Sequence, residues 1–329
     1  MTEMHMRHII LSSIVPAAAA VLLLASVPAS GQETSPLVPD ATYKFAQRDT
    51  CELFLDVYNP ASGTGEEDGL RMPTVIFMFG GGFMSGERDA PYYSSWFREM
   101  TRNGCRVVSI DYRLGLKGAT KVGIGQVNDL ENAINIAVED LFSATVFLLD
   151  NAESLGIDPD NIVISGSSAG AISVLQADYE LNNSSVLASE LPAGFRYAGV
   201  MSFAGAILSR SGLLEYATEP APTLLLHGTE DRLVTYKQIK FFNIGFFGSD
   251  RIASRFARFG YEYNILRFTG HGHEVASSMY ETTDYQLAFI RENILRKSRR
   301  IIDATISDPD IPSGDGISQS RKELYGDNR

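Results

Sequence analysis

Residues 161–171 read NIVISGSSAGA, and no other stretch constrains the fold as much. Ile162, Val163 and Ile164 suit a buried strand. Gly166-Ser167-Ser168-Ala169-Gly170 then forms a turn of small residues leading into a helix-compatible segment. A strand that turns this sharply into a helix lifts the serine at its apex above the edge of a sheet. Such a turn is too tight for large side chains two residues before and two after that serine. Ser168 has glycine at both positions and Ser167 does not, so Ser168 is the apex.

The rest of the chain supplies the sheet. Residues 42–47 and 53–58 alternate as two antiparallel strands, followed by a Gly- and acid-rich loop over 61–69. Residues 74–79 and 106–112 read as buried strands, the first running into Gly80-Gly81-Gly82. Leu130, Ile134, Ala137, Leu141, Ala144 and Leu148 recur at spacings of four and three, one face of a long helix that stops around Gly156. A helix to about Leu181, strands at 197–203, 223–227 and 265–268, and a helix over 282–296 complete the pattern. Strands alternating with helices predict a parallel sheet with crossover helices in one domain over residues 32–298. The polar stretch 299–329, with its Pro, Gly and Asp, reads as a largely irregular tail.

Residues 1–31 have the composition of a secretory signal peptide: Arg7, a nearly continuous apolar run from Ile9 to Val27, and Ala29-Ser30-Gly31 for cleavage. The competing reading is an uncleaved membrane anchor, since the run approaches the roughly 20 residues that span a bilayer. No cysteine follows the run, so a bacterial lipid anchor is not supported. Export would make Cys51 and Cys105 candidates for a disulfide. The net charge of −12 leaves no basic stripe for a nucleic-acid backbone and disfavours polyanionic ligands.

A serine hydroxyl needs a base beside it and a third group to hold that base. Beyond residue 31 only His227, His271 and His273 remain, all C-terminal to Ser168. Asp231 follows a buried strand, in a loop at the sheet's carboxyl edge where an acid can orient an imidazole; Glu230 is its competitor. His227 reads as structural within that turn. Gly270-His271-Gly272-His273 follows the last strand, and glycines there let the loop swing a histidine toward the serine. His273 is the expected base and His271 the alternative; two histidines without a further cluster give little ground for a metal site. Backbone amides of Gly81, Gly82 and Ala169 are placed to receive an oxyanion. No Gly-Lys-Ser/Thr follows the triple glycine, which excludes a phosphate loop.

FGGGF at 79–83, DYRLG at 111–115, GSSAG at 166–170, HGTED at 227–231 and HGHE at 271–274 resemble the α/β-hydrolase superfamily. The likeness lies in its esterase/lipase branch, near hormone-sensitive-lipase-like and bacterial feruloyl- and acetyl-esterase-like enzymes, and spans about residues 42–297. It implies an α/β-hydrolase fold, with a mostly parallel central sheet, helices on both faces and a small or absent lid. It also implies Ser168 as nucleophile, Asp231 as acid, His273 as base, and Gly81, Gly82 and Ala169 as oxyanion donors. Asp111 and Arg113 resemble a structural pair of the family, with Asp140 a partner for Arg113. Where the family usually has histidine before the triple glycine, this chain has Phe79, so packing must brace the loop.

The expected activity is hydrolysis of carboxylic esters, with short-chain or carbohydrate-linked acyl groups, through an acyl-enzyme and without a cofactor. A serine peptidase or amidase of the same fold is the second reading, and a non-catalytic binding module the third. Any lid must be small or built from residues 114–128 and 182–192. No stable membrane partner is expected after signal cleavage, and oligomeric state is not readable.

Overall fold

The computed structural model describes residues 36–49, 51–67, 69–119 and 127–307. The proposed signal peptide, part of the 114–128 stretch and most of the C-terminal tail lie outside the described residues. In chain order, β1 (Ala41–Gln47) and β2 (Glu52–Tyr58) form a hairpin, and β3 (Glu66–Glu67) and β4 (Leu70–Arg71) a small one. There follow β5 (Thr74–Met78), α1 (Ser94–Arg102), β6 (Arg106–Ile110), α2 (Val127–Asp150) and α3 (Ala152–Leu155). Next come β7 (Ile162–Ser167), α4 (Ala169–Asn182), β8 (Gly199–Phe203), β9 (Ala206–Ser209) and β10 (Thr223–Gly228). The last elements are β11 (Gln238–Phe241), β12 (Ile244–Gly248), α5 (Ser249–Phe259), β13 (Tyr263–Phe268), α6 (Thr283–Phe289) and β14 (Ile302–Ile306).

Nine strands make the main sheet in the order β1-β2-β6-β5-β7-β8-β10-β13-β14, and only β2 runs against the rest. β5, β7, β8 and β10 are buried along their whole length, which is why they read as unbroken apolar runs. Helices cover both sides of the sheet. α2 packs on α4, burying Ala133, Ile134, Ala137, Leu141, Ala144 and Leu148. α1 meets α6, joined by a buried bond from Trp96 Nε1 to Gln286 Oε1 of 2.7 Å. Gly156, in the left-handed conformation, ends the α2–α3 run at the expected place.

This strand order fixes the site. From β5 the chain crosses to β6 on one side and then returns to place β7 on the other. The carboxyl ends of β5 and β7 therefore flank a topological switch point, where the crossover connections diverge and leave a crevice. Residues 79–82 leave from one and Ser168 from the other. Farther along, β10 and β13 are parallel neighbours with Gly228 opposite Phe268. The loops bearing Asp231 and His273 thus start side by side on the same edge.

Two expectations need correction. Residues 302–306 are not irregular: β14 adds a parallel edge strand to β13, and Arg267 binds Asp303 across the pair at 2.7 and 3.0 Å. Its largely solvent-facing side chains hid it from an apolar-run criterion. Cys51 and Cys105 are not bridged. Each immediately precedes its strand, and β2 and β6 are antiparallel, so the two cysteines sit at opposite ends of the pair. About nine residues at ~3.3 Å each separate them along the strands, far beyond the ~7 Å between Cα atoms that a bridge tolerates. Residues 206–209 and 238–248, outside every element expected from the sequence, form a separate sheet, β11-β12-β9, beyond the carboxyl end of β8. The amide of Gln176 closes its β9 edge, accepting from Leu208 N–H (2.9 Å) and donating to Leu208 C=O (3.0 Å).

Candidate active site

Ser168 sits between β7 and α4 with φ 51° and ψ −112°, a conformation that L side chains rarely adopt. The turn is as crowded as the small residues imply. A Cβ on Gly166 would lie 2.3 Å from the Gly170 carbonyl, and one on Gly170 would lie 2.1 Å from Met78 O. Within 165–171 Ser168 alone is open to solvent. Its neighbour Ser167 is buried and donates to Ala276 C=O at 2.8 Å, tying the elbow to the segment after His273.

Ser168 Oγ lies 2.8 Å from His273 Nε2, and His273 Nδ1 lies 2.7 Å from Asp231 Oδ2. The carboxylate only accepts, so Nδ1 carries the proton and Nε2 is left to accept from the serine hydroxyl. The expected three residues are thus brought together in one hydrogen-bonded line. The competitors go elsewhere. Glu230 N–H donates to His271 C=O (2.9 Å), which ties the acid loop to the histidine loop. His271 Nδ1 is 3.3 Å from Glu274, whose carboxylate accepts Gly272 N–H at 2.7 Å.

The Asp231 carboxylate is out of solvent and heavily donated to. Oδ1 accepts the amides of Leu233 (2.8 Å) and Val234 (2.9 Å), while Oδ2 accepts from His273 and from His227 Nε2 at 3.1 Å. Burial by itself raises its pKa, but the hydrogen bonds from His227 and His273 outweigh that and hold it well below the ordinary carboxylate range. His227, read as structural, is fully buried and reaches the acid directly.

The triple-glycine loop lies against the serine: a Cβ on Gly80 would be 3.3 Å from Ser168 Cβ. Gly81 (φ 129°) and Gly82 (φ 64°) need the freedom of glycine, and a Cβ on Gly81 would strike Ser85 O at 1.9 Å. No acceptor among the described residues takes the amide hydrogens of Gly81, Gly82 or Ala169. The loop with Gly81 and Gly82 follows β5, and Ala169 follows β7 and the serine, so they leave the two strand ends that flank the switch point.

The bracing around Phe79 is partly what packing predicts and partly not. The Phe79 ring stacks on Tyr112 with centroids 4.4 Å apart, and Gly86 lies so close that a Cβ there would be 2.5 Å from the ring. Two phenols add hydrogen bonds: Tyr112 donates to Phe79 C=O (2.8 Å), and Gly80 N–H donates to Tyr93 Oη (2.9 Å). Burial pushes both phenols far above their ordinary pKa, so they act as neutral hydroxyls. Just past the loop, Arg88 pairs with Asp56 and Asp111, each at 2.9 Å. Asp111 therefore partners Arg88 rather than Arg113, while Arg113 does pair with Asp140 at 2.9 Å. The sequence reading missed Tyr93, Arg88 and Ser249, none of which lies in a motif.

Residues 27–179 match the Carboxylesterase family and residues 128–243 the Phospholipase/Carboxylesterase family. Lipase 2 of Geotrichum candidum is 30% identical over 183 residues, 55% of this chain and 30% of that protein. Carboxylesterase 1C of Rattus norvegicus is 33% identical over 152 residues, 46% of this chain and 24% of that protein. The matched stretches thus span less than a third of these curated relatives. Among solved structures, the apo form of Thermogutta terrifontis esterase 2 superimposes with a TM-score of 0.55 at 22% identity, over 78% of this chain and 95% of that one, a likeness of fold. In its fold and in these partial matches, the chain is similar to the esterase/lipase branch of the α/β-hydrolase superfamily.

Proposed function

We propose that the protein hydrolyses carboxylic esters through an acyl-enzyme formed on Ser168. The observation that carries this is the unbroken line from Ser168 Oγ to His273 to Asp231, beside a glycine loop whose Gly81 and Gly82 amides have no acceptor among the described residues. Ser168 Oγ attacks the ester carbonyl as its proton passes to His273 Nε2, and the carbonyl oxygen becomes an oxyanion held by Gly81, Gly82 and Ala169. His273 then gives that proton to the departing alkoxide. Water repeats the sequence, losing its proton to His273 and releasing the acid and free Ser168. Asp231, already ionised, stabilises the imidazolium in both halves without taking up a proton.

The substrate class fits short-chain or carbohydrate-linked acyl groups, since no large helical lid is inserted among the described residues around the serine. Residues 1–31 support export, which sequencing the N-terminus of protein recovered outside the cytoplasm would test. For the reaction itself, a fluorophosphonate probe is expected to label Ser168, located by peptide mass spectrometry. Ser168→Ala is expected to abolish both labelling and p-nitrophenyl acetate hydrolysis while leaving the folded spectrum unchanged. Undiminished turnover in that variant would sink the proposal.

A further inference from the structure

We infer that His227 is a positioning residue for this reaction: it donates to the same Asp231 oxygen that holds His273, in a tautomer fixed by Ser249. The inference rests on the reading of Ser168, His273 and Asp231 given above.

His227 closes β10 and is fully buried. Its Nε2 faces two acceptors, Asp231 Oδ2 at 3.1 Å and Val234 C=O at 3.2 Å. A carbonyl cannot donate and an ionised carboxylate cannot either, so Nε2 carries the hydrogen. Nδ1 is then a lone pair, and it takes the hydroxyl hydrogen of Ser249, 2.8 Å away at the first position of α5. A continuous chain results: Ser249, His227, Asp231, His273, Ser168. Oδ2 is its shared centre, accepting an imidazole N–H from each histidine.

The chemical effect follows from that sharing. A carboxylate oxygen that already accepts one N–H has less charge to offer a second. His227 therefore weakens the hold of Asp231 on the imidazolium that forms at His273. It also fixes the carboxylate's rotation, because Oδ2 is held by both histidines while Oδ1 is held by two amides. A purely structural His227 would serve only the turn through Val234. Its loss would then leave the charge that Oδ2 offers His273, and with it the acid limb of the pH profile, unchanged.

The charged and titratable groups around this chain are few. His271, Glu274 and Glu230 flank it on the two loops, with Glu274 engaged by Gly272 N–H. The Tyr236 ring stands edge-on to His227 at 5.6 Å, and Arg267 and Asp250 lie on the far side of Tyr236. None is altered in the variants that test the inference.

The experiment is the pH profile of kcat/KM for p-nitrophenyl acetate in the full-length protein. His227→Leu, which keeps volume and removes the donor, is expected to lower kcat about tenfold with KM nearly unchanged. Its acid limb should move up by about half to one pH unit. His227→Gln carries an amide N–H near the former Nε2 and should restore most of both. An acid limb that stays put or falls in His227→Leu, or a Gln variant no better than Leu when both are folded, overturns the inference. Should neither fold, Ser249→Ala decides: a smaller upward shift supports it, and an unshifted limb overturns it. Failure of the underlying reading looks different, because Ser168→Ala would then retain turnover.

Discussion

In the proposed reaction the acid loop and the oxyanion loop serve one chemistry, and they are held in different ways. In residues 227–234 nearly everything Asp231 needs comes from its own segment: His227 and the amides of Leu233 and Val234, with only His273 arriving from outside. In residues 79–86 the amides of Met84 and Ser85 close a turn on Gly81 C=O, but Phe79 and Gly80 are braced from elsewhere, through Tyr112 beyond β6 and Tyr93 before α1. The difference follows from when the charge exists. Asp231 is ionised at rest, so local donors can be committed to it permanently. In the proposed reaction an oxyanion is present only during turnover, so the Gly81 and Gly82 amides that would meet it must stay unused, and the loop needs rigidity that leaves those two N–H groups free of internal acceptors. Aromatic stacking and phenol hydroxyls provide that.

The acid arm should break hardest. Asp231→Asn keeps the shape but removes the charge and allows the wrong histidine tautomer; a kcat loss on the order of 10³–10⁴ is expected on p-nitrophenyl acetate. A loss under tenfold would mean that Asp231 does not orient His273. Gly81→Ala comes next. Its Cβ would meet Ser85 O and its φ disfavours any side chain, so one donor is displaced. A kcat loss of about 10²–10³ with little change in KM is expected, and a change confined to KM would remove Gly81 from the oxyanion site.

The same contrast decides what could be read from sequence. The acid arm was legible because its parts are contiguous: a strand, then His227 through Asp231. The elbow was legible because its glycines answer local clashes. The bracing of the oxyanion loop was not, because Tyr93 and Tyr112 reach Phe79 and Gly80 only after the sheet has brought β5 and β6 together. α1 and α5 were passed over although each has an amphipathic pattern, Ile252, Ala253 and Phe256 lying on the buried face of α5. β11 and β12 had no such local cue. They are short, β11 is exposed along its length, and β9, the partner of β12, lies well upstream, with Ser209 opposite Gly245. His227 shows a subtler limit: its place in the turn was visible, but that its Nε2 would share an oxygen with His273 depended on two loops meeting.

The smallest effect separates the arms most cleanly, because one depends on charge and the other does not. Tyr112→Phe removes the bond to Phe79 C=O but keeps the stack, so it should cost about 1 kcal/mol of stability and only a few-fold in kcat. Burial keeps that phenol neutral, so the stability gap between wild type and Tyr112→Phe should be the same at pH 6 and pH 3. Asp231 behaves otherwise. Its folded pKa is held below the ordinary 3.8, so in acid the unfolded chain binds more protons than the native one. The stability this carboxylate contributes is complete above its ordinary pKa and drains away as pH falls toward the folded value. Urea unfolding of wild type, Asp231→Asn and Tyr112→Phe at both pH values should therefore show the Asp231 gap narrowing on acidification and the Tyr112 gap unmoved. Parallel behaviour of the two gaps would mean that ionic hydrogen bonding does not distinguish the acid arm from its counterpart.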